Sequence, residues 1–303
     1  MSLSKILIAL TLAIFYEVAE TFHATTRVRN TFSRVSMGGG RSKLEQGVGD
    51  RTMFKNLRDK LNKAAEKPGF FDVGDGPSDI ELFCKSNKDG TQIGDCPFAQ
   101  FIQLVLLKKG IKYEVRPTLS DEKPAWLKEK HEGKLPALVH KGTSMTDSMA
   151  IAEFLERTYP HNSLTRQGAY SYQEVLEKTS GFFPSLSAFI KNKDDSKDAS
   201  LLAGIETQLD ILDEIIRSTP GQYVCGIEVT LADLYLVPQL FHAMVAMEHF
   251  KGVEYYHING TPTRPALENY VARMFDMEEF NNKRVYYNVD QVIYGWKVAR
   301  GDV

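Results

Sequence analysis

The run Ile93-Gly94-Asp95-Cys96-Pro97-Phe98-Ala99-Gln100 decides how this chain folds, because it leads from a turn directly into an apolar helix. Pro97 suits the first helical position, where a missing N–H costs nothing and the ring's fixed φ matches the helix. Cys96 then falls at the cap, facing the unpaired N–H groups of Phe98 and Ala99 and the positive end of the helix dipole. Both features favour thiolate over thiol, so a nucleophilic cysteine with a depressed pKa is expected, opposed by the like charge of Asp95. A cysteine at a helix start is more often a small buried hydrophobe, and only its surroundings reverse that reading.

Upstream, Ile80 to Phe83 reads as a short strand followed by the turn Asn87-Lys88-Asp89-Gly90. Downstream, Phe98, Phe101, Ile102, Val105 and Leu106 follow helical spacing to a stop at Lys108-Lys109-Gly110. Ile111 to Val115 then forms a second strand, Pro124 to Lys130 a short helix, and Leu135 to Val139 a third strand, a parallel α/β layout. Thr146-Asp147-Ser148 caps a helix from Met149 to Tyr159. Beyond Pro160 no strand pair is expected, and Leu201, Leu202, Ile205, Leu209, Leu212, Ile215 and Ile216 repeat helically. Lys191 to Asp198 reads as an exposed loop. Thr230 and Asp233 are spaced as a capping box ahead of an apolar helix from Leu234 to Met247, expected to kink at Pro238.

The 303 residues suffice for about two domains, and 43% apolar with 25% charged residues is ordinary globular composition. A net charge of −2 argues against nucleic acid as a partner. Cys84, Cys96 and Cys225 are odd in number and lack metal-ligand spacing, which argues against a disulfide framework and a zinc site. His242 and His249 read as packing or surface residues, Cys84 and Cys225 as structural, and Trp296 as a tail anchor.

Residues 1–37 stand apart. Lys5 precedes an apolar stretch from Ile6 to Phe15 that is too short to span a bilayer and reads as a signal-peptide core. From Glu20 to Glu45 no acidic residue intervenes, while Arg27, Arg29, Arg34, Arg41 and Lys43 lie among Ser and Thr, a transit-peptide composition. The bipartite arrangement resembles plastid targeting in algae whose plastids are reached through the secretory system; a plain secretory leader is the alternative. Residues 38–78, with Gly38-Gly39-Gly40, a short amphipathic stretch from Phe54 to Ala64 and Gly74-Asp75-Gly76-Pro77, read as an extension or linker.

The runs Gly94-Asp95-Cys96-Pro97-Phe98, Gly133-Lys134-Leu135-Pro136 and Asp147-Ser148, followed by a helical half with Thr230-Leu231-Ala232-Asp233, resemble the glutathione transferase superfamily. Within it, Leu231 to His242, Glu248 to Gly252 and Val292-Ile293-Tyr294-Gly295-Trp296 are similar to glutathione-dependent dehydroascorbate reductases of plants and algae. The resemblance implies a thioredoxin-like α/β domain over residues 79–160 and an all-helical domain over 161–303.

It also implies roles. Cys96 would be the catalytic nucleophile. Alanine at position 99, where a dithiol enzyme has its second cysteine, leaves glutathione to supply the resolving sulfur in a monothiol, ping-pong cycle. A cis Pro136 would let the Leu135 backbone pair with the cysteinyl part of glutathione. Asp147 and Ser148 would hold the γ-glutamyl end, and Lys123 the glycyl carboxylate. Lys85 and Asp95 would bind dehydroascorbate. No bound cofactor or metal is implied, glutathione being a co-substrate, and a monomer without stable membrane insertion is expected. An omega-type thiol transferase and the chloride intracellular channel proteins, which share the Cys-Pro-Phe helix start, are the competing readings. Against insertion, the apolar run from Phe98 to Leu107 is about half the length of a spanning helix.

Overall fold

A four-stranded sheet in the order β2-β1-β3-β4 carries the first half of the described chain, and helices wrap it and build the second half. The computed structural model describes residues 78–303 except 254–256, 259–260, 281–284 and 286–287. The targeting segment and almost all of the proposed linker therefore lie outside the described residues.

Strand β1 (Ile80–Lys85) alternates buried and partly exposed side chains. It pairs in parallel with β2 (Glu114–Thr118) and antiparallel with β3 (Ala137–His140). The expected all-parallel layout is therefore corrected to a mixed sheet. Its last member, β4 (Thr143–Thr146), pairs antiparallel with β3 and was not expected. Its Thr-Ser-Met-Thr sequence has no apolar run, and the cue lies in the turn instead. Lys141 and Gly142 both have positive φ, 48° and 78°, as a two-residue hairpin of right-handed twist requires.

Helix α1 (Pro97–Lys108) starts at Cys96 and ends as predicted. Gly110, at φ 66°, donates to the Leu107 carbonyl and Ile111 to that of Leu106, a Schellman closure that uses the residues expected to open β2. For that reason the second strand begins three residues late. Helix α2 (Ala125–His131) covers the outer face of the sheet, where Trp126 meets Phe83 edge-on at 5.2 Å. Helix α3 (Ser148–Thr158) packs beside α1.

The helical half comprises α4 (Tyr172–Lys178), α5 (Phe182–Lys191), α6 (Asp195–Ser218), α7 (Leu231–Lys251), α8 (Pro265–Phe275) and α9 (Val289–Arg300). The expected loop from Lys191 to Asp198 is corrected to three residues. Asp194 caps α6, and Asp195 and Asp198 sit in its first turn, where a helix favours acidic side chains. A two-residue strand pair, β5 (His257–Ile258) and β6 (Thr261–Pro262), interrupts the expected all-helical pattern.

Helix α7 is buried nearly all round and runs unbroken through Pro238. It packs against α1, α5 and α9, joining the two expected domains in one core. Asp233 fixes its start as predicted. Its carboxylate accepts the N–H and hydroxyl of Thr230, the Val224 N–H and the Tyr270 hydroxyl, which offsets the cost of burying it completely. A second buried pair, Lys109 with Glu156 at 2.6 Å, ties the end of α1 to α3, and Lys109 also donates to the His161 carbonyl beyond α3.

Candidate active site

Two helix starts and one cis peptide follow or precede strand ends that lie at the same end of the sheet, where Phe83 pairs with Ala137 and Ala137 with Thr146. The segment after β1 folds back on itself, with Gly94 donating to the Lys85 carbonyl at 2.7 Å and Ser86 bridging Ile93. A Cβ at position 94 would lie 2.5 Å from the Ser86 carbonyl oxygen, so only glycine allows this approach. The turn delivers Cys96 to the cap of α1, half-buried.

The thiol is not the acidic group that the helix start alone predicted. Burial pushes Cys96 above its ordinary value, and this outweighs the N–H groups of Ala99 and Phe98, which pull it down. Asp95 pushes it further up and Lys85 draws it down. Position in sequence shows the dipole but not the depth of burial, hence the correction.

Lys85 and Asp95 form an ion pair at 2.7 Å beside the thiol, so the structure brings together the two residues expected to flank it. The Asp95 carboxylate is seated against Gly295 of α9, where a Cβ would lie 1.7 Å from Oδ2. Glycine at this position therefore admits Asp95, and the C-terminal helix forms a wall of the site.

On the other flank, the Leu135–Pro136 peptide is cis, as expected. Lys123 lies against Gly133, 3.3 Å from where a Cβ would stand, a step from that peptide. Asp147 caps α3 by accepting the Ala150 N–H at 2.9 Å, in an unusual conformation at φ 71°, with Ser148 next to it at the first helical position. Burial and the Asp147 charge both raise the pKa of Tyr235, so this acid faces α7. Tyr235 in turn meets Phe98 and Phe101 of the thiol's helix, at 5.9 and 5.2 Å between ring centroids.

Two residues read as packing or anchoring turn out to lie at the site. His242 is buried beside Asp95, and burial pushes its pKa down to about 4, against the pull of Asp95, so it is neutral at pH 7. The indole N–H of Trp296, 6.2 Å from His242 between ring centroids, is buried without a hydrogen-bond partner among the described residues. Phe183 meets both rings and also Phe98. A polar residue at a core-facing position of α7 was the available signal. His249, by contrast, is exposed at the end of that helix. Among the described residues no cluster of three or more His, Cys, Asp or Glu is arranged to hold a metal.

The CLIC-like N-terminal domain family matches residues 78–161. Glutathione S-transferase DHAR2 of Arabidopsis thaliana is 31% identical over 206 residues, covering 68% of this chain and 90% of that protein. The chloroplastic glutathione S-transferase DHAR3 of the same plant is 28% identical over 239 residues, covering 76% of this chain and 86% of that protein. The crystal structure of dehydroascorbate reductase from Chlamydomonas reinhardtii superimposes with a TM-score of 0.61 at 30% identity, covering 72% of this chain and 97% of that one. The chain belongs to the dehydroascorbate reductase family of glutathione S-transferases. The expected fold, a thioredoxin-like unit followed by a helical one, is that of this family.

The opposing charges beside the thiol have a measurable consequence. Asp95→Asn is expected to move the midpoint of Cys96 alkylation by iodoacetamide to lower pH, and Lys85→Met to move it to higher pH. Unchanged midpoints in both variants would contradict the arrangement.

Proposed function

We propose that the protein reduces dehydroascorbate to ascorbate with glutathione, with Cys96 as a monothiol nucleophile. The observation that carries this is the half-buried Cys96 at the start of α1, flanked by Lys85 and Asp95, with alanine one turn on. The Cys96 thiolate either adds to a carbonyl carbon of dehydroascorbate, giving a covalent adduct, or gives it two electrons and becomes the sulfenic acid, water supplying that oxygen and the proton with which ascorbate leaves. The group that glutathione then displaces from the sulfur is ascorbate in the first case and water in the second. One glutathione thiol attacks that sulfur to give a mixed disulfide, and a second releases oxidised glutathione and restores the thiolate. Membership of a family named for this reaction supports the reading.

Each part of glutathione has a partner of suitable chemistry. Asp147, as an exposed carboxylate, suits the γ-glutamyl amine, and Ser148 with the N–H groups at the start of α3 suits its carboxylate. The Leu135 backbone before cis Pro136 suits the cysteinyl amide groups, and Lys123 the glycyl carboxylate. Lys85 and Asp95 suit the carbonyl and hydroxyl groups of dehydroascorbate, with the neutral His242 beside Asp95.

The protein acts as a monomer, with 79–160 and 161–303 as its two domains and 38–78 as an extension or linker. Residues 1–37 direct it to a plastid, a reading supported by their composition and by the chloroplastic name of one Arabidopsis relative. The match to the CLIC-like family favours a channel-type reading for residues 78–161, yet among the described residues no helix is long and apolar enough to cross a membrane.

Cys96→Ser is expected to lower glutathione-dependent dehydroascorbate reduction at least about a thousandfold while leaving the fold intact. Activity surviving the substitution, or a wild type that transfers other thiols and ignores dehydroascorbate, would overturn the proposal. Because burial raises the Cys96 pKa, the reactive thiolate fraction grows with pH below that value. The rate at low dehydroascorbate should therefore climb from pH 6 to pH 8, and a flat profile would show a thiolate already formed. A fluorescent reporter fused behind residues 1–37 should collect in the plastid of a secondary-plastid alga, and secretion of the reporter would favour the plain leader.

A further inference from the structure

Cys84 is a second thiol that the cycle above does not use. It is the last inward-facing residue of β1: Ile80, Leu82 and Cys84 are buried, while Phe83 points to the opposite face and meets Trp126 of α2. Cys84 is fully enclosed in the core cluster against which Cys96 packs. The segment between them is closed tightly, by the Ser86 to Ile93 bridge and the Gly94 N–H to the Lys85 carbonyl, so the end of the strand and the start of α1 are held together. The two sulfurs are near enough that a charge on Cys96 adds to burial in raising the pKa of Cys84. Cys225, the third thiol, is held elsewhere by the Thr230 hydroxyl at 3.3 Å.

We infer that Cys84 is a resolving thiol, which closes an internal disulfide with oxidised Cys96 when glutathione is scarce. A hydroperoxide is the oxidant. The Cys96 thiolate attacks its O–O bond, one oxygen stays on the sulfur as sulfenic acid, and the other leaves as water or alcohol after taking a proton. The Cys84 sulfur then attacks Cys96, the S–S bond forms, the S–O bond breaks, and hydroxide leaves with the Cys84 proton as water. Closing the bond requires the two Cα atoms to lie within roughly 7 Å of each other, and the backbone pairing of Lys85 with Gly94 and of Ser86 with Ile93 tethers the segments that carry them.

The disulfide reopens into the proposed cycle. Glutathione thiolate attacks the Cys96 sulfur, Cys84 leaves and takes up a proton, and the Cys96–glutathione mixed disulfide results. Cys84, with no exposed surface, meets neither peroxide nor glutathione directly and acts only through Cys96. The disulfide is a storage state outside turnover, and it shields Cys96 from irreversible oxidation to the sulfinic acid. The inference rests on Cys96 being the reactive thiol and not on dehydroascorbate being its substrate.

The test uses the full-length reduced protein, freed of small thiols and treated with a slight excess of hydrogen peroxide. After alkylation under denaturing conditions, peptide mapping should show Cys84 joined to Cys96 and Cys225 alkylated, so that two of the three thiols are lost together. Finding Cys96 as sulfenic or sulfinic acid with Cys84 alkylated would overturn the inference, even if dehydroascorbate reduction with glutathione is normal in parallel. A Cys84→Ala variant should keep its untreated activity yet lose, at least about tenfold faster than wild type, the activity that dithiothreitol can restore after peroxide. Equal recovery in the two proteins would also count against it. The mapping of wild type decides the matter if the variant fails to fold.

Discussion

The site depends on one close backbone approach, the contact between Gly94 and the end of β1. With its Cα pressed near the Ser86 carbonyl and its N–H on the Lys85 carbonyl, Gly94 turns the chain so that Asp95 and Cys96 arrive at the start of α1 in fixed positions. Any side chain there would have to displace backbone rather than a flexible neighbour. Asp95 is then committed on two sides, to Lys85 across the turn and to the space left by Gly295 on α9. Two glycines far apart in sequence thus fix the turn that carries Cys96 and the seat of Asp95.

The electrostatic consequence is a balance in place of a simple activated thiol. Helix N–H groups and Lys85 favour the thiolate, while burial and Asp95 favour the thiol, and burial is the larger effect. A strongly acidic cysteine would be a weaker nucleophile and a better leaving group, because intrinsic nucleophilicity falls with pKa. A thiol with a raised pKa gains per-ion reactivity, gives up resting thiolate, and is the poorer leaving group when glutathione displaces it from the mixed disulfide. Burial of His242 and Trp296 beside Asp95 works in the same direction, since a neutral imidazole adds no positive charge near the sulfur.

Local patterns made much of this legible beforehand. Pro97 and Gly110 marked both ends of α1, Asp147 the start of α3, and the Thr230–Asp233 spacing the start of α7, because caps and breakers act within a few residues. The cis peptide and the likeness to a known family came from short motifs. What depended on three dimensions was less accessible. The strand β4 is too polar to signal a strand, the direction of β3 against β1 is not written in its own residues, and the packing of Cys96 against the core involves residues far from it in sequence. His242 reads as packing and Trp296 as a tail anchor because nothing local in the sequence shows that Asp95 and α9 meet beside them.

The central claim is that Cys96 alone carries the electrons between the two substrates, through a mixed disulfide with glutathione. Its most direct test is acid quenching of the wild-type protein during turnover with both dehydroascorbate and glutathione still abundant, followed by intact mass and peptide analysis. One glutathione attached to Cys96, and none to Cys84 or Cys225, is the expected result. Steady turnover with no glutathione on Cys96 at any time point, or with glutathione on another cysteine, would contradict it.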